Sequence, residues 1–481
     1  MADDRVSLSR RRFLLSSGST VTVAAAAEPP AKDAGAPWNG PAVVQKVYLT
    51  AGRAGWPRPD MNLQEEIREI ESHLAGLEKR YPKHIRLAGG EVLSNAAEAS
   101  AWVKQLGEDV DAILAFNMTT GVYRTLEAVV GGGKPVLLFA RPYAGHDWCH
   151  CSAFNQLGKK ADVIASSDFR ELDPYVDVFR AIHHLRHSKV LIVAPPTRAP
   201  KGDGYQQQFG TSFAYPTYQD LKSAYDAASE KQAREMAAAF IQHAAGIVEP
   251  TEEEVVSSMR LYLGILDLMR AEKANAITID CLGGFGRKDL VAYPCIAFSK
   301  LNDSGAYGVC ECDLESTMTQ ILVTSFSGNP GFVSDPVFDT SRGEVIHAHC
   351  VSATAMQGIG QPPSPYIIRS HLEDHKGVSI QVLVSAKGPV TVARFSGPSK
   401  LLLSTAEAAG NVDDERGCRT KLRTRVSDAR KFLRNYAMVN ISGVSTSNTR
   451  DLLHRVVFYG DHTEMIERIG RLSGFQVIRE V

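Results

Sequence analysis

Short apolar segments alternate with amphipathic helical segments over the first 200 residues, and this alternation constrains the fold more than any other feature. Residues 62–81, for example, carry apolar side chains at helical spacing, which predicts an amphipathic helix. Short apolar strands separated by such helices are typical of parallel sheets that helices cover on both faces. We therefore predict a doubly wound α/β domain over residues 42–197, with strands at 43–49, 85–87, 110–116, 135–139, 162–165 and 189–193.

The alternation stops at a proline-rich segment, residues 195–200, and then resumes. This predicts a second doubly wound α/β domain over residues 198–360, with strands at 276–280, 306–312 and 345–350.

After Pro362-Pro363 the apolar residues follow a period of two, which is typical of antiparallel strands with one buried face. We predict a β-rich, mainly antiparallel C-terminal domain over residues 361–481. The expected fold class is therefore α/β, with two doubly wound parallel-sheet domains followed by this β-rich domain.

The first 27 residues have the features of an export signal. Ser9-Arg10-Arg11-Arg12-Phe13-Leu14 precedes an apolar run of small residues that is too short to span a bilayer. The paired arginines indicate the twin-arginine pathway, and a disordered basic tail is the alternative. We expect the twin-arginine export machinery as a partner, residues 28–41 as a linker, and a periplasmic or secreted mature protein without a stable membrane anchor.

Charge and cysteine content exclude several classes of function. The chain has 53 Lys and Arg residues against 54 Asp and Glu residues, a net charge of −1, so no global basic field is available to bind nucleic acid. Its 8 cysteines include no pair of C-x-x-C motifs, which argues against structural zinc and against a disulfide scaffold. A small-molecule ligand is the expected partner.

Candidate chemistry centres on Glu311, which lies between two cysteines in the predicted strand 306–312. If that strand is regular, both thiols point to one face and the carboxylate to the other. A glutamate in an apolar strand needs a partner. Asp335, His349 and His454 also lie at predicted strand ends, and carboxylates with imidazoles suit Mn²⁺ or a similar divalent cation. Ion pairs and satisfied core histidines at scattered places are the alternative.

The order and spacing of several segments resemble the L-fucose isomerase and L-arabinose isomerase superfamily over most of the mature chain. These segments are Gly305-Ala-Tyr-Gly-Val-Cys-Glu-Cys-Asp313, Pro330-Gly-Phe-Val-Ser-Asp335, His347-Ala-His-Cys350 and His454-Arg-Val-Val-Phe-Tyr-Gly460. By position, the resemblance implies that Glu311 and Asp335 are catalytic carboxylates and metal ligands, and that His349 and His454 are further ligands. The chain departs from its relatives at Leu452-Leu453, where they often carry Asn-His or His-His.

The resemblance implies a metal-dependent aldose–ketose isomerase, which is an intramolecular oxidoreductase working through an enediol intermediate. One carboxylate would move the proton between C1 and C2 while the other handles hydroxyl protons, and the sequence leaves open which does which. It also implies a homo-oligomer of closed symmetry. An exported, non-catalytic carbohydrate-binding protein is the alternative function.

A loop of the first domain, containing His146, Asp147 and Trp148, follows a predicted strand at the edge where α/β sheets bind ligands. These residues are candidates for sugar binding, either in their own subunit or, as the resemblance implies, in a neighbouring one. A purely structural loop is the alternative.

Overall fold

The first region of the structure is built on a parallel sheet. The computed structural model describes residues 40–52, 58–384, 386–438 and 453–481, so the predicted export signal and most of the predicted linker lie outside the described residues. In chain order the elements are β1 (Ala42–Leu49), α1 (Leu63–Arg80), β2 (Ile85–Leu93), α2 (Ala96–Gln105), β3 (Ala112–Asn117), α3 (Tyr123–Gly131), β4 (Val136–Ala140), α4 (His150–Gln156), β5 (Ala161–Ala165) and α5 (Asp173–His187). The described strands pair in the order β2-β1-β3-β4-β5, all parallel.

Helices cover this sheet because successive strand residues point to opposite faces. Tyr48 belongs to a core shared with α1 and α5, whereas its neighbour Val47 belongs to a core shared with α2, α3 and α4. Strand β3 is buried along its whole length, as expected for a strand enclosed on both faces. The alternating sequence pattern thus produces the predicted parallel α/β sheet.

A second parallel sheet follows. Its region contains β6 (Lys189–Val193), α6 (Asp203–Phe209), β7 (Ser212–Ala214), α7 (Tyr218–Ala227), α8 (Glu230–His243), β8 (Gly246–Ile247), α9 (Glu252–Glu272), β9 (Ala276–Ile279), α10 (Cys281–Arg287), α11 (Cys295–Ser304), β10 (Tyr307–Cys310) and α12 (Leu314–Ser327). The described strands pair in the order β10-β9-β6-β7, all parallel. Among the helices of the described ranges, none combines the length and the apolarity needed to cross a bilayer.

Strand β6 differs from the sequence expectation, which grouped it with the first sheet. The side chain of Asn275, just before β9, explains its position. Its Oδ1 accepts a hydrogen bond from the backbone N–H of Lys189 at 3.0 Å, and its Nδ2 donates to the Ser188 hydroxyl at 2.9 Å. These buried contacts fix the start of β6 beside β9, so the helix α5 joins the two sheets.

The C-terminal region is β-rich and mainly antiparallel, as predicted. Its elements are β11 (Phe332–Asp339), β12 (Glu344–His349), β13 (Tyr366–Arg369), β14 (Ser379–Val382), β15 (Gly388–Phe395), β16 (Lys400–Asn411), β17 (Thr420–Arg425), α13 (Ala429–Met438), β18 (Arg455–Tyr459), α14 (Thr463–Ser473) and β19 (Gln476–Arg479). Six of the described strands, in the order β15-β18-β11-β12-β17-β16, close into a barrel through pairing of β15 with β16. Strand β19 is added parallel to β16. Strands β13 and β14 instead form a small separate sheet with β8.

Two barrel strands come from earlier in the chain than the sequence pattern indicated. Strand β12, expected in the second α/β domain, pairs antiparallel with β11 and β17 inside the barrel. Both β11 and β12 precede residue 361, where the period-two pattern was expected to begin. The tight connection between them makes them a hairpin, and a hairpin cannot join a parallel sheet as two neighbouring strands.

An ion pair with no solvent exposure anchors the start of β18. The Arg455 guanidinium donates from Nη2 to Glu480 Oε1 at 2.7 Å and from Nε to Glu480 Oε2 at 2.9 Å, and both side chains are 0% exposed. Its Nη1 also donates to the carbonyl oxygen of His454 at 2.8 Å. The pair therefore connects the C-terminal segment to the backbone that carries His454.

Replacing Arg455 by Leu should lower the free energy of unfolding by roughly 3–5 kcal/mol, because it leaves the Glu480 carboxylate buried without a counter-charge. The matched control is Arg124→Leu, where the side chain is 77% exposed in an i,i+3 ion pair and a change within about 0.5 kcal/mol is expected. Chemical denaturation measures both values. Equal stabilities of the two variants would contradict the structural role of the pair.

Candidate metal centre

Glu311 lies in a tight turn and not in a strand as predicted. Strand β10 ends at Cys310, and Glu311 and Cys312 have positive φ angles of 61° and 57°. Two consecutive non-glycine residues in the left-handed region are unusual and costly. The expected alternation of thiols and carboxylate therefore does not apply. The turn places Glu311 at the carboxyl edge of the second sheet, the edge at which parallel sheets bind ligands.

The other three predicted residues come from adjacent barrel strands. His349 is the last residue of β12, and His454 lies immediately before β18. Asp335 lies within β11, not at its end as expected, and is the cross-strand partner of Ala348. Because β11 lies between β12 and β18, these three side chains meet where the barrel faces the turn that carries Glu311.

The structure brings all four residues together. The Nε2 atom of His454 lies 3.2 Å from Asp335 Oδ1 and 3.8 Å from Glu311 Oε2. The second carboxylate oxygen of Glu311 lies 3.6 Å from His349 Nε2, and the two imidazole rings lie 5.4 Å apart, nearly perpendicular. Two overlapping groups of side chains could hold a metal ion. One is Cys310, Glu311 and His349, and the other is Asp335, His349 and His454.

The exposure of the side chains shows which part of the site faces solvent. The imidazoles of His349 and His454 are only 5% and 2% exposed, whereas the carboxylates of Glu311 and Asp335 are 22% and 30% exposed. The histidines thus form the floor of the site, and the carboxylates are the groups that a small molecule entering from solvent would meet.

Asp313 was not among the sequence candidates, yet it positions His454. Its fully buried carboxylate lies 2.8 Å from His454 Nδ1 and also forms an ion pair with Arg394, which is equally buried. It caps helix α12 as well, accepting a hydrogen bond from the Ser316 backbone N–H at 3.0 Å. A carboxylate on Nδ1 leaves Nε2 as the ligand atom, an arrangement common behind metal-binding histidines. The sequence signal is an Asp directly before a helix, together with an Arg in the apolar strand β15.

The charges of the cluster shift the pKa values of its members in opposite directions. Burial alone would lower the pKa of His454, but hydrogen bonds to Asp313 and Asp335 outweigh it and raise this pKa to about 9. The pKa of His349 is also raised, since its hydrogen bond to Glu311 and the charge of Asp335 outweigh burial.

Burial would raise the pKa values of the carboxylates, but the two imidazoles keep those of Glu311 and Asp335 below their usual range. The pKa of Asp313 lies well below its usual value, because the charge of Arg394 and the contact with His454 outweigh burial. Without a metal ion, protons on His349 and His454 therefore compensate the negative charge of the carboxylates.

His347 is buried two residues before His349 but belongs to a different environment. Its Nδ1 lies 3.0 Å from the Ser334 hydroxyl and its Nε2 lies 3.2 Å from the Thr424 hydroxyl. Burial, with the charge of Arg455, lowers its pKa to about 3, so the ring is neutral. Both of its nitrogens are occupied by hydroxyl groups.

Cysteines and a further histidine surround the ligand group. Cys310 Sγ lies 3.7 Å from both ring nitrogens of His349. A hydrogen bond from Cys418 lowers the pKa of the Cys350 thiol well below its usual value against the effect of burial, and His371 contributes in the same direction. The surroundings are thus rich in polarisable sulfur.

The loop residues His146, Asp147 and Trp148 lie elsewhere in the structure. They follow β4 at the carboxyl edge of the first sheet, whereas Glu311 follows β10 in the second sheet. Asp147 is buried and accepts a hydrogen bond from the Gly121 backbone N–H at 3.0 Å, which is a structural contact. His146 and Trp148 are exposed.

Protein-family models give no match to this chain, and no curated protein is significantly similar to it.

The raised pKa of His454 predicts a pH dependence of stability in metal-free protein. A group whose pKa is raised on folding stabilises fully below its unfolded value of about 6.5, and this contribution is lost as the pH rises through about 9. The melting temperature in the presence of a chelator should therefore fall between pH 6.5 and 9, which thermal denaturation measures.

Two variants control for this effect. His454→Gln should reduce the dependence to the part that the raised pKa of His349 contributes. His462→Gln should retain it in full, because burial lowers the pKa of His462 and keeps that ring neutral in this range. A melting temperature of wild-type protein that is constant from pH 6.5 to 9 would contradict the assignment.

Proposed function

We propose that this protein is a metal-dependent sugar isomerase that interconverts an aldose and a ketose through an enediol intermediate. The observation that carries the proposal is the convergence of Glu311, Asp335, His349 and His454, which span more than 140 residues of sequence, on one point between the second sheet and the barrel. A binding protein for sugars does not need two carboxylates and two imidazoles at one point.

The donor set fits a divalent cation such as Mn²⁺. Carboxylate oxygens and imidazole nitrogens are ligands suited to manganese and similar ions, whereas a thiolate set would favour zinc or copper(I). Glu311, Asp335, His349 and His454 would hold the ion. The protons that His349 and His454 retain in the metal-free site mark where positive charge is needed, and binding of the ion would release them.

When bound, a divalent ion would supply positive charge that polarises the sugar's carbonyl and hydroxyl oxygens. The chain supplies the bases. The pKa values of Glu311 and Asp335 are held low, so both carboxylates are ionised at neutral pH and ready to accept a proton. One transfers the proton between C1 and C2, and the other exchanges hydroxyl protons. The hydrogen bond from His454 to Asp313 keeps the imidazole fixed while these protons move.

The finer fold and the cellular context belong to the same proposal. The first sheet has the strand order 2-1-3-4-5 with helices packed on both faces, which supports a doubly wound topology.

We propose a homo-oligomer in which the exposed His146 and Trp148 of one subunit face the sugar bound by another. We also propose that the twin-arginine pathway exports the protein to the periplasm or the exterior. That pathway transfers proteins that are already folded.

Metal binding and turnover test the central proposal. The full-length protein with Mn²⁺ should convert at least one sugar in a panel of aldoses and ketoses to its isomer, measured by chromatography of the products. Glu311→Gln should abolish turnover, because it preserves shape but removes a base and an anionic ligand. The control Glu344→Gln removes another buried carboxylate, at the opposite end of β12, and should leave turnover unchanged.

A different result would favour the alternative function. Tight sugar binding without a bound divalent ion, measured by calorimetry and metal analysis, would indicate an exported carbohydrate-binding protein instead. Equal turnover by wild type and Glu311→Gln would overturn the mechanism.

Asp313 gives a sharper test of the site, because it contacts His454 and not the entering sugar. Asp313→Asn should weaken Mn²⁺ binding roughly 10–100-fold, the usual effect of removing a partner behind a metal-binding histidine. Isothermal titration calorimetry measures the affinity for Mn²⁺. Asp339→Asn is the control, since Asp339 ends β11 with an exposed contact to Ser341. Unchanged affinity in the Asp313 variant would show that His454 does not bind the ion.

A further inference from the structure

Two cysteines lie next to each other at the edge of the barrel, where β12 ends and β17 begins. His349, the last residue of β12, is the cross-strand partner of Thr420, the first residue of β17. Cys350 follows His349 directly, and Cys418 lies two residues before Thr420. We propose that Cys350 and Cys418 form a disulfide bond under oxidising conditions, independently of the proposed isomerase activity.

The strand register places these two residues at adjacent chain ends. Strands β12 and β17 are antiparallel, so the residue after His349 and the residues before Thr420 continue side by side. Adjacent antiparallel strands are about 4.7–4.9 Å apart, and disulfides join Cα atoms that are roughly 4.4–6.8 Å apart. The thiols of Cys350 and Cys418 are both free and form a hydrogen bond with each other. Their side chains therefore already point together.

A third element holds both backbone segments in place. The Ser379 hydroxyl, at the start of β14, donates to the Cys350 carbonyl oxygen at 2.8 Å. At the other end of β14, the Val382 backbone N–H donates to the Thr420 hydroxyl oxygen at 3.0 Å. The same hydroxyl donates to the Ile380 carbonyl at 3.1 Å. Because β14 contacts both segments through buried groups, the two cysteines are positioned by the fold and not by their own contact alone.

The chemistry is exchange with a disulfide oxidant. Cys418 is partly exposed and Cys350 is only 4% exposed, so an oxidant from solvent reaches Cys418 first. The Cys418 sulfur attacks the S–S bond of the oxidant and forms a mixed disulfide, and the first released thiol takes up the Cys418 proton. The Cys350 sulfur then attacks the Cys418 sulfur, and the second oxidant thiol leaves with the Cys350 proton. One disulfide forms in the protein as the disulfide of the oxidant is reduced to two thiols.

The predicted export signal gives such an oxidant a source. Disulfides form and persist in the periplasm and outside the cell but are rare in the cytosol. A protein that the twin-arginine pathway transfers is already folded when it reaches the oxidising compartment. Its disulfide must therefore form between thiols that are adjacent in the native structure, as those of Cys350 and Cys418 are.

The effect of the bond is to stabilise the barrel beside the metal centre. The cross-link encloses residues 351–417, which contain β13, β14, β15 and β16. Closing a long loop restricts the unfolded chain more than the folded chain, so the folded state becomes more stable. The bond also fixes the end of β12, which carries His349.

Peptide mapping of the full-length wild-type protein tests this proposal. The protein is treated with oxidised glutathione, its remaining thiols are alkylated, and a tryptic digest is analysed by mass spectrometry without reduction. Trypsin releases residues 343–369, in which Cys350 is the one cysteine, and residues 417–419, which contain Cys418. We expect these two peptides to be joined, and reduction should separate them. Unlinked peptides, or a lasting glutathione adduct on Cys418, would overturn the proposal.

Thermal denaturation measures the effect of the bond on stability. Oxidised wild-type protein should melt several degrees above the reduced protein, because the cross-link closes a long loop. Cys418→Ser should melt at the same temperature in both states. The matched control Cys149→Ser removes an exposed cysteine outside the pair and should retain the full shift. Equal melting temperatures of oxidised and reduced wild-type protein would contradict a stabilising cross-link.

Discussion

Three carboxylates converge on one imidazole in a poorly solvated junction, and the arrangement of the surrounding structure follows from the need to compensate them. Glu311, Asp313 and Asp335 all contact His454, whose side chain is 2% exposed. Removing an anion from water is costly unless a positive charge lies close to it. Asp313 obtains that charge from Arg394, which is permanently protonated. Glu311 and Asp335 must share what remains, either protons on the two histidines or a bound cation.

The groups that hold the site together are therefore different from the groups available for chemistry. The Asp313–Arg394 pair is fully buried and links the start of α12 to the barrel strand β15, so it holds the junction together whether or not an ion is present. The Arg455–Glu480 pair does the same for the backbone of His454. Glu311 and Asp335, in contrast, keep solvent access and depend on groups that can exchange a proton or a metal ion. A site of this kind is rigid where it positions ligands and adaptable where it meets a substrate.

The parts of this structure that the sequence predicts are those that follow from local periodicity. The parallel sheets and the mainly antiparallel C-terminal region follow from apolar patterns. The four residues of the site follow from ionisable residues at predicted strand ends together with the resemblance. The assignment of strands to sheets does not follow from local periodicity. The position of β6 depends on the Asn275 side chain 86 residues away, and the position of β12 depends on its hairpin partner. Arg394 was not among the sequence candidates, although a charged residue in an apolar strand needs a partner, as Glu311 does.

The turn at Glu311 shows why local periodicity fails at such a site. A regular strand through residue 312 would suit the apolar sequence, yet the chain adopts two consecutive left-handed residues, each at a cost of about 1–3 kcal/mol. Glycine at position 311 would relieve that strain but would remove the carboxylate. The gain is that Glu311 and Asp313, two residues apart, contact opposite nitrogens of the same imidazole. Asp313 also begins α12, and the backbone N–H of Cys312 donates to the Ile279 carbonyl at 3.0 Å, so neighbouring elements hold the strained turn in place. Strain retained where a less strained residue was available is typical of a functional site, and here it produces the one contact pattern that fixes His454 from both sides.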